Sequence, residues 1–398
     1  MANDPTKQRT YQRTHKHISF EVDLRQAPYI LWMLLGEAQS KIEHIAGVPL
    51  RPDIAKMLHG VYLAKGALAT TAIEGNTLSE DEVIKRIEGK LDLPPSREYL
   101  GQEIDNIVAA ANVIFAKLVA GEECKISFEQ VLDFNAQVLH GLSLGEGIVA
   151  GVCRNHEVGV GRYHGAPHQD CEYLLQRMCD WLNDGESFRA PRGQEISFAI
   201  LKAIVSHLYL AWIHPFGDGN GRTARLVEFQ ILAEAGVPLP AAHLLSDHYN
   251  RTRTEYYRQL DKSSDERDGV LHFLLYAVEG FVDSLREQLD LVRHQQMDVT
   301  WRNYVHETLG GSAANTRKRH LVLDLALQKE PVPISDLSTI SGRVARDYAG
   351  VSERTLTRDV KELISDNYLI REKGGIVANT ALITAFLPAR RRLNSTEK

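Results

Sequence analysis

The most continuous apolar stretch of the chain covers residues 198–213, where Lys202 and His207 are among the few polar exceptions. A segment that is apolar nearly all round is typical of a helix buried inside a protein rather than one on its surface. Pro215 disfavours helical geometry at the residue before it. The pattern therefore predicts a buried helix that ends near His214.

Helical spacing of apolar residues recurs along most of the chain, so the predicted fold class is mainly α. Besides the buried helix, helices are expected at residues 27–44, 52–72, 98–118, 127–142, 171–183, 221–232 and 270–299. Ser79 and Glu82 are spaced as a capping box that would start one more helix. Residues 151–163 have glycines, β-leaning residues and no helical period, which predicts a short β-hairpin.

The C-terminal part has a pattern of its own. Helices are predicted at residues 317–328 and 335–340, a third begins after Ser352, and residues 369–377 favour a hairpin. Three helices and a hairpin resemble the winged-helix fold. Arg354, Arg358 and Lys361 share one face of the third helix, which could enter a DNA major groove. Residues 343–373 hold seven basic and six acidic side chains, a weak basic footprint for a DNA reader. DNA binding, protein contact and dimerisation all stay open.

Composition narrows the class of protein. The 398 residues carry a net charge of −6, which argues against a polyanion binder as a whole. The four cysteines (Cys124, Cys153, Cys171 and Cys179) show no metal or redox spacing, so free thiols in a reducing compartment are expected. No signal peptide is recognisable, and no apolar run is expected to reach the length of a membrane span. A cytoplasmic protein without membrane contact is the expectation.

The residues after the buried helix carry the candidate chemistry. Positions 214–225 read His-Pro-Phe-Gly-Asp-Gly-Asn-Gly-Arg-Thr-Ala-Arg. Glycine lets the backbone approach a ligand closely, and the N–H groups that open a helix form an anion site. Arg222 and Arg225 share one helix face and can each hold phosphate oxygens in pairs. This combination predicts a phosphate cradle, although it is not a Walker loop because the Gly-Lys-Ser/Thr ending is absent.

Two side chains in this stretch add reactive groups. Asp218 would suit Mg²⁺, which prefers one or two carboxylates together with phosphate oxygens. A histidine titrates near neutrality, so His214 can accept a proton from an attacking hydroxyl. A turn without function is the alternative for a lone glycine triplet, but the full set of residue types favours a site.

These twelve residues resemble the signature of the Fic family, His-Pro-Phe-x-Asp-Gly-Asn-Gly-Arg-x-x-Arg, at every fixed position. The resemblance implies a helical enzyme that transfers AMP from ATP, with Mg²⁺ or Mn²⁺, to a Ser, Thr or Tyr hydroxyl of a protein, itself included. It implies that His214 is the general base and that Asp218 holds the metal. The implied ATP-binding residues are Asp218, Gly219, Asn220, Gly221, Arg222, Thr223 and Arg225, with the loop amides and Asn220 at the α-phosphate and the arginines at the β- and γ-phosphates.

The end of the second predicted helix resembles the inhibitory motif of the same family, Ser/Thr-x-x-x-Glu-Gly/Asn. Its fixed positions correspond to Thr70, Glu74 and Gly75. From the residues alone, Glu74 is a solvated carboxylate at a helix end. The resemblance implies instead that Glu74 holds the enzyme off by pairing with Arg225, for which no other acidic partner is evident in the sequence.

Two further assignments come only from the resemblance. In the family a hairpin flap precedes the signature and holds the target by strand addition, which here would involve His156, Glu157, Val158 and Gly159. A tyrosine pair contacts the nucleotide, which makes Tyr256 and Tyr257 candidate adenosine contacts, with core packing as the alternative. For His207 a packed structural role is expected.

The predicted organisation has five parts. They are a polar N-terminal segment (1–24), a helical region with the inhibitory motif (25–97), the Fic catalytic domain (98–299), a connector containing two glycines (300–315) and a winged-helix domain (316–398). Two other functions remain open: a transcriptional regulator with a nucleotide-sensing Fic domain, and removal of AMP from modified protein by the same site. A homodimer is also possible.

Overall fold

The computed structural model describes residues 15–48, 52–122, 125–160, 163–265 and 268–384. The chain divides into two compact units, Met1–Leu289 and Asp290–Lys398. Each unit has its own apolar core, and each is considered by itself below.

The first unit is built almost wholly of helices, as the sequence pattern predicts. In chain order these are α1 (Tyr29–Gly47), α2 (Pro52–Ala72), α3 (Glu80–Ile87), α4 (Glu98–Val119), α5 (Phe128–Val138), α6 (Cys171–Leu182), α7 (Glu195–Ile213), α8 (Asn220–Glu234), α9 (Leu239–Ala242), α10 (Leu244–Arg251), α11 (Arg253–Asp265) and α12 (Gly269–Thr308). A hairpin of β1 (Gly159–Val160) and β2 (Tyr163–His164) pairs antiparallel between α5 and α6.

Helix α7 lies at the centre of this unit, because nearly all its side chains are apolar. It packs along α8 and is also contacted by α1, α6 and α11, while α2, α4, α5 and α9 contact α8. The prediction of a buried helix ending near His214 is confirmed, and the helix starts three residues earlier than expected. The loop between the two central helices is the signature stretch.

Helix α7 is also long and apolar enough to cross a membrane by length and composition alone. The expectation that no apolar run reaches that length is therefore wrong. Because 72% of the relevant window is buried inside the protein, the helix is accounted for as a core element.

The capping box expected before α3 is present. Ser79 Oγ accepts a hydrogen bond from the Glu82 N–H at 3.3 Å, and Glu82 Oε2 accepts one from the Ser79 N–H at 2.8 Å. Between α2 and α3, Gly75 adopts a left-handed conformation with φ of +108°. This glycine turns the chain directly after Glu74.

The N-terminal segment departs from the prediction of a polar, peripheral stretch in its described part. Ile18 is buried, and the Phe20 N–H donates to the Tyr209 hydroxyl at 2.9 Å. The His17 ring lies 4.8 Å from that of Trp212. Residues 15–20 therefore pack on helix α7, since the tail contains a few apolar and aromatic residues that its polar average conceals. Residues 1–14 lie outside the described part.

The second unit begins within α12, which corrects the predicted connector. Residues 300–308 are helical, and Trp301 and Val305 are buried in the second apolar core. Gly311 has φ of +91°, and Ser312 caps the next helix. The connection between the two helices is therefore only residues 309–312. The two units meet at residues 289 and 290, ahead of the boundary expected at 299.

The rest of the second unit contains α13 (Ala313–Leu325), α14 (Gly342–Tyr348) and α15 (Glu353–Ser365), followed by the hairpin of β3 (Leu369–Glu372) and β4 (Gly375–Ala378). Val332 bridges to Ile376 and extends the small sheet by one residue pair. The segment predicted as a short helix at 335–340 is a 3-10 helix, Ile334–Thr339. The hairpin and the third helix lie where the sequence pattern predicts them.

Candidate active site

A cleft of about 1080 Å³ lies at the loop between α7 and α8. It brings together residues from five parts of the chain: the end of α2, the flap, the C-terminal half of α7, the signature loop with the start of α8, and α11. Its lining includes Glu74, His156, Glu157, Val158, Gly159, Tyr163, His207, Trp212, His214, Asp218, Gly219, Asn220, Gly221, Tyr256 and Tyr257. Arg222, Thr223 and Arg225 are buried in the first turns of α8 beside this cleft.

His214 is held at the end of α7 in a left-handed conformation, with φ of 49° and ψ of 58°. Its N–H still donates to the Leu210 carbonyl at 2.9 Å, and its own carbonyl accepts from Arg154 Nε at 2.7 Å. Arg154 is buried and also donates to the carbonyls of His156 and Ala166. This arginine therefore holds both the signature loop and the base of the flap, a role that the sequence alone did not indicate.

The imidazole of His214 is neutral at physiological pH. Burial, with a smaller contribution from the charge of Arg154, lowers its pKa from 6.5 to about 4, although the Ala211 carbonyl with Glu74 and Asp218 partly opposes the shift. The expectation that it titrates near neutrality is wrong for this reason. Nδ1 lies 3.4 Å from the Ala211 carbonyl, which favours a hydrogen on Nδ1 and leaves Nε2 able to accept a proton.

The side chain of Asn220, which lines the cleft, also shapes the loop. Its Oδ1 accepts from the Phe216 N–H and its Nδ2 donates to the Phe216 carbonyl, both at 2.9 Å. Because Asn220 opens α8, its backbone N–H is one of the groups at the helix N-terminus that can meet an anion.

A second asparagine, not singled out in the sequence, supports the loop from α5. Asn135 Nδ2 donates to the Asp218 carbonyl at 2.9 Å, and its Oδ1 accepts from the Gly151 N–H at 2.9 Å. Gly219 has φ of +78°, and a Cβ there would lie only 2.9 Å from Asn135 Nδ2. Glycine at position 219 is thus required by both conformation and space.

Arg222 has two acidic neighbours. Its Nη1 donates to Glu103 Oε1 on α4 at 3.0 Å, and its Nη2 donates to Asp218 Oδ1 at 3.0 Å. Burial raises the pKa of Glu103, although the charge of Arg222 and a hydrogen bond from Asn76 partly oppose this. Glu103 was absent from the sequence-based site because it lies more than a hundred residues before its partner.

Asp218 has the exposure expected of a metal ligand. Its side chain is 46% exposed, and it lines the cleft beside the N-terminus of α8. Within the described ranges no group of three or more His, Cys, Asp or Glu side chains is arranged to hold a metal by itself. A single carboxylate suits Mg²⁺ that is otherwise bound by substrate phosphates and water. The residues present therefore fit a metal that arrives with a nucleotide.

Glu74 and Arg225 form an ion pair, as the inhibitory motif implies. Arg225 Nη2 donates to Glu74 Oε1 at 2.6 Å and to the Thr70 carbonyl at 2.8 Å. In the described part of the chain, Arg225 Nε and Nη1 have no hydrogen-bond partner although the side chain is buried. Gly221 allows this approach, because a Cβ there would lie 2.2 Å from Glu74 Oε1.

The carboxylate of Glu74 is held in its charged form. Burial alone would raise its pKa, but the charge and hydrogen bond of Arg225, with smaller contributions from Arg222 and His214, lower the pKa below its ordinary value. The side chain is 33% exposed. Glu74 thus places a negative charge beside the Arg225 guanidinium and against Gly221 in the first turn of α8.

The flap forms the opposite side of the cleft. Gly159 pairs with His164 and Val160 with Tyr163, and the Tyr163 hydroxyl donates to the Trp212 carbonyl at 2.8 Å. His156, Glu157, Val158 and Gly159 all line the cleft, as expected for a flap that faces the site. Residues 161–162 of the predicted hairpin lie outside the described part.

Both candidate adenosine contacts lie at the cleft. Tyr256 is buried and its hydroxyl is 2.8 Å from His207 Nε2, so this residue belongs to the core and to the cleft wall together. Tyr257 is 38% exposed, and its hydroxyl is 3.4 Å from the Ile73 carbonyl, directly before Glu74.

Residues 125–232 match the model of the Fic/DOC family. The chain contains a Fic domain. Among curated proteins it is similar to protein adenylyltransferase fic-1 of Caenorhabditis briggsae, at 33% identity over 198 residues, or 48% of this chain and 34% of that protein. Fic-1 of Caenorhabditis elegans gives 31% identity over 194 residues, with the same coverage of 48% and 34%. The chain thus spans about a third of the length of these relatives.

Solved structures extend the similarity to the fold. A fragment of Fic-1 from C. elegans, residues 134–508, superposes with a TM-score of 0.55 at 25% identity and covers 67% of this chain and 74% of the fragment. A Fic family protein from Desulfovibrio desulfuricans G20 has a TM-score of 0.55 at 21% identity, covering 86% of this chain and 90% of that one. The helical Fic fold of this chain is therefore established.

Proposed function

We propose that this chain is a protein adenylyltransferase that transfers AMP from Mg·ATP to a Ser, Thr or Tyr hydroxyl of a protein and is autoinhibited by Glu74. One observation carries the proposal. A neutral His214 opens onto the same cleft as the N-terminus of α8, and a buried Arg225, whose Nε and Nη1 have no partner among the described residues, lies beside it. The names of the similar curated proteins support the same reaction.

The geometry supports an in-line displacement at the α-phosphorus. A hydroxyl held along the flap attacks phosphorus while its proton passes to His214 Nε2. The bond from the α-phosphorus to the bridging oxygen breaks, and pyrophosphate leaves. The N–H groups opening α8, together with Arg222 and Arg225, can bind the charge that develops on the phosphates. Asp218 would hold Mg²⁺, which supplies further charge neutralisation at the phosphates.

The same geometry accounts for inhibition. With Glu74 paired to Arg225, the guanidinium cannot grip a terminal phosphate, and the carboxylate repels that phosphate from the site. Glu74 also carries its charge at physiological pH, because Arg225 lowers its pKa. ATP would then enter with its α-phosphate misaligned for attack.

The position of the label in ATP tests the reaction directly. The Glu74→Gly chain should incorporate label from the α-phosphate of ATP into protein and none from the γ-phosphate. Incorporation of γ-label would indicate phosphoryl transfer instead. If neither label is retained but AMP is released from a pre-modified protein, the site removes AMP. If a folded chain shows no AMP transfer, no phosphoryl transfer and no AMP removal, catalysis is refuted and nucleotide sensing is favoured.

A second candidate function concerns the C-terminal unit, which we propose is a winged-helix domain. Arg354, Arg358 and Lys361 on α15 are all exposed, and so are Arg371 and Lys373 of the β3–β4 hairpin. Cations on a helix and an adjacent hairpin would suit duplex DNA. Protein contact or a homodimer is the competing role for this domain.

We further propose a cytoplasmic location. The support is the free state of Cys153, Cys171 and Cys179, which suits a reducing compartment. Cys124 lies outside the described residues. Retention of activity after full reduction, with loss on oxidation, would be consistent with this location.

A further inference from the structure

A chain of buried polar groups lies directly behind the cleft. The Tyr256 hydroxyl is 2.8 Å from His207 Nε2, and Nδ1 of the same ring lies 2.9 Å from Glu228 Oε2. The other carboxylate oxygen, Glu228 Oε1, accepts from the Tyr249 hydroxyl at 3.0 Å. All four side chains are buried. They come from α11, α7, α8 and α10, so this polar chain links four helices.

The direction of the hydrogen bonds follows from the groups themselves. The Tyr256 hydroxyl is the donor to His207 Nε2, because burial raises the pKa of Tyr256, although the charge of Arg225 partly opposes this, and the hydroxyl keeps its proton. Nδ1 of His207 lies at ion-pair distance from Glu228 Oε2, but neither atom forms a hydrogen bond within the described residues. A carboxylate only accepts, so its proximity favours a hydrogen on Nδ1 and leaves Nε2 as the acceptor. This arrangement leaves the Tyr256 hydroxyl a single direction in which to point.

Tyr256 connects this polar chain to the cleft. Its ring lines the cleft together with Gly221 and Ala224 of α8. Behind it, the Tyr249 ring stacks at 4.9 Å with an interplanar angle of 27°. The ring is therefore fixed by stacking on one side and by the hydroxyl at its end, and other aromatic rings, those of Tyr257 and Phe273, lie 5.2 and 6.4 Å from it.

We propose that His207 is a positioning residue for the nucleotide, because it holds the Tyr256 ring in the orientation that forms the cleft wall. Glu228 lies against the other side of the His207 ring, with Oε2 2.9 Å from Nδ1. Glu228 lies one turn after Arg225 on α8. The contacts from Glu228 through His207 to Tyr256 therefore hold the Tyr256 ring at a fixed position relative to Arg222 and Arg225, the arginines proposed to bind phosphate. This inference rests on the proposed function, in which the cleft binds ATP.

Variants in the Glu74→Gly chain test the role of His207. Tyr256→Phe keeps the ring but removes the hydroxyl, and His207→Leu removes the acceptor. Each should raise KM for ATP about tenfold, the effect of losing one buried hydrogen bond, while kcat at saturating ATP changes by less than about twofold. His207→Gln can still accept from Tyr256 and should restore most of the affinity. The double variant His207→Leu with Tyr256→Phe should be no worse than either single change.

Tyr249→Phe is the matched control. It removes the same atom from the same polar chain, but Tyr249 does not line the cleft, so thermal stability should fall while KM stays unchanged. An unchanged KM in folded Tyr256→Phe, or an equal rise in Tyr249→Phe, would overturn the role of His207. Calorimetric ATP affinity of each variant separates the two proposals. If the Glu74→Gly parent transfers no AMP, the enzyme function fails, while ATP binding still reports whether His207 positions Tyr256.

Discussion

At the scale of single residues, the environment of His214 sets its chemistry. An exposed histidine is partly protonated near neutral pH, and a protonated ring cannot act as a base. Here burial and the neighbouring Arg154 lower the pKa to about 4, so the ring is ready to accept a proton across the physiological range. The left-handed conformation of His214 directs the side chain out of the α7 line and into the cleft.

Replacing this histidine should remove the base without removing the nucleotide site. His214→Ala in the Glu74→Gly background should lower AMP transfer by about 10²–10⁴-fold, the usual contribution of general base catalysis. Calorimetric ATP affinity should stay within about threefold, because the phosphate contacts come from α8. Wild-type turnover in this variant would remove His214 from the mechanism.

The lowered pKa also predicts a pH profile. Because the folded pKa of about 4 lies below the ordinary histidine value of 6.5, kcat/KM in Glu74→Gly should stay level from about pH 8 to pH 5 and fall only as the pH approaches 4. The unfolded chain binds this proton first, so the contribution of His214 to folding stability is present above pH 6.5 and is lost as the pH falls towards 4. A fall in kcat/KM centred near 6.5 would contradict the burial argument.

Asp218 makes a second prediction at this scale. Its carboxylate is the partly exposed acid beside the phosphate cradle, so Asp218→Ala should weaken ATP binding in Mg²⁺ and change it little in EDTA. Asp218→Asn is the matched control for its contact with Arg222, because it keeps an oxygen for the guanidinium and removes the charge. Equal Mg²⁺ dependence in all three chains, measured by calorimetry, would show that the metal is held elsewhere.

At the scale of elements, the end of α2 contacts the first turns of α8. The helix stops at Ala72, the chain turns at Gly75, and Glu74 is thereby presented to Arg225 while the Thr70 carbonyl accepts from the same guanidinium. Two groups at one helix end thus contact one arginine. The contact that we propose to be inhibitory depends on this junction and not on Glu74 alone.

Breaking the contact should activate the enzyme. Glu74→Gly removes a charge-assisted hydrogen bond worth roughly 1.5–3 kcal/mol, so automodification should rise about tenfold or more. Glu88→Gly removes a carboxylate at the end of α3 that pairs with Lys90 and not with Arg225, and should leave the rate unchanged. Glu74→Gly with His214→Ala should be silent again. Equal labelling of wild type and Glu74→Gly at saturating ATP would refute autoinhibition.

At the scale of the whole molecule, two compact units carry two separate surfaces. The Fic unit holds the cleft, and the C-terminal unit presents Arg354, Arg358 and Lys361 on α15. Asp359 on the same helix points inward instead, where Arg317 and Tyr348 contact it. Glu353 and Glu362 of α15 are exposed as well, and Glu362 Oε1 lies 3.8 Å from Arg358 Nε.

This face allows a test of DNA binding with the full chain. Each phosphate contact adds about one unit to the slope of log affinity against log salt. The variant with Arg354, Arg358 and Lys361 changed to alanine should therefore lose about two to three units of slope. The control variant has three exposed cations of the first unit, Arg25, Lys90 and Arg189, changed to alanine, and its salt slope should equal that of the unchanged chain. No binding of duplex DNA at low salt would assign the domain to protein contacts, which sedimentation could then show as a dimer.

The sequence by itself determined the elements whose information is local. Apolar content predicted the buried helix α7, the Ser79 and Glu82 spacing predicted a helix start, and the twelve-residue signature predicted the loop and the residues around it. The pairing of Glu74 with Arg225 followed from a resemblance, since nothing local joins positions 151 residues apart. These features depend on periodicity, capping and residue type within a few turns of chain.

Only the tertiary structure decided which distant side chains complete the site. Arg154, Asn135 and Glu103 each reach the signature loop from another element, and a buried polar group has no sequence pattern that names its partner. The same holds for the pKa of His214, which depends on burial by surrounding elements. Folding brings these groups out of water together, and in that setting charge and hydrogen bonding over a few ångströms outweigh the local preferences that a sequence records.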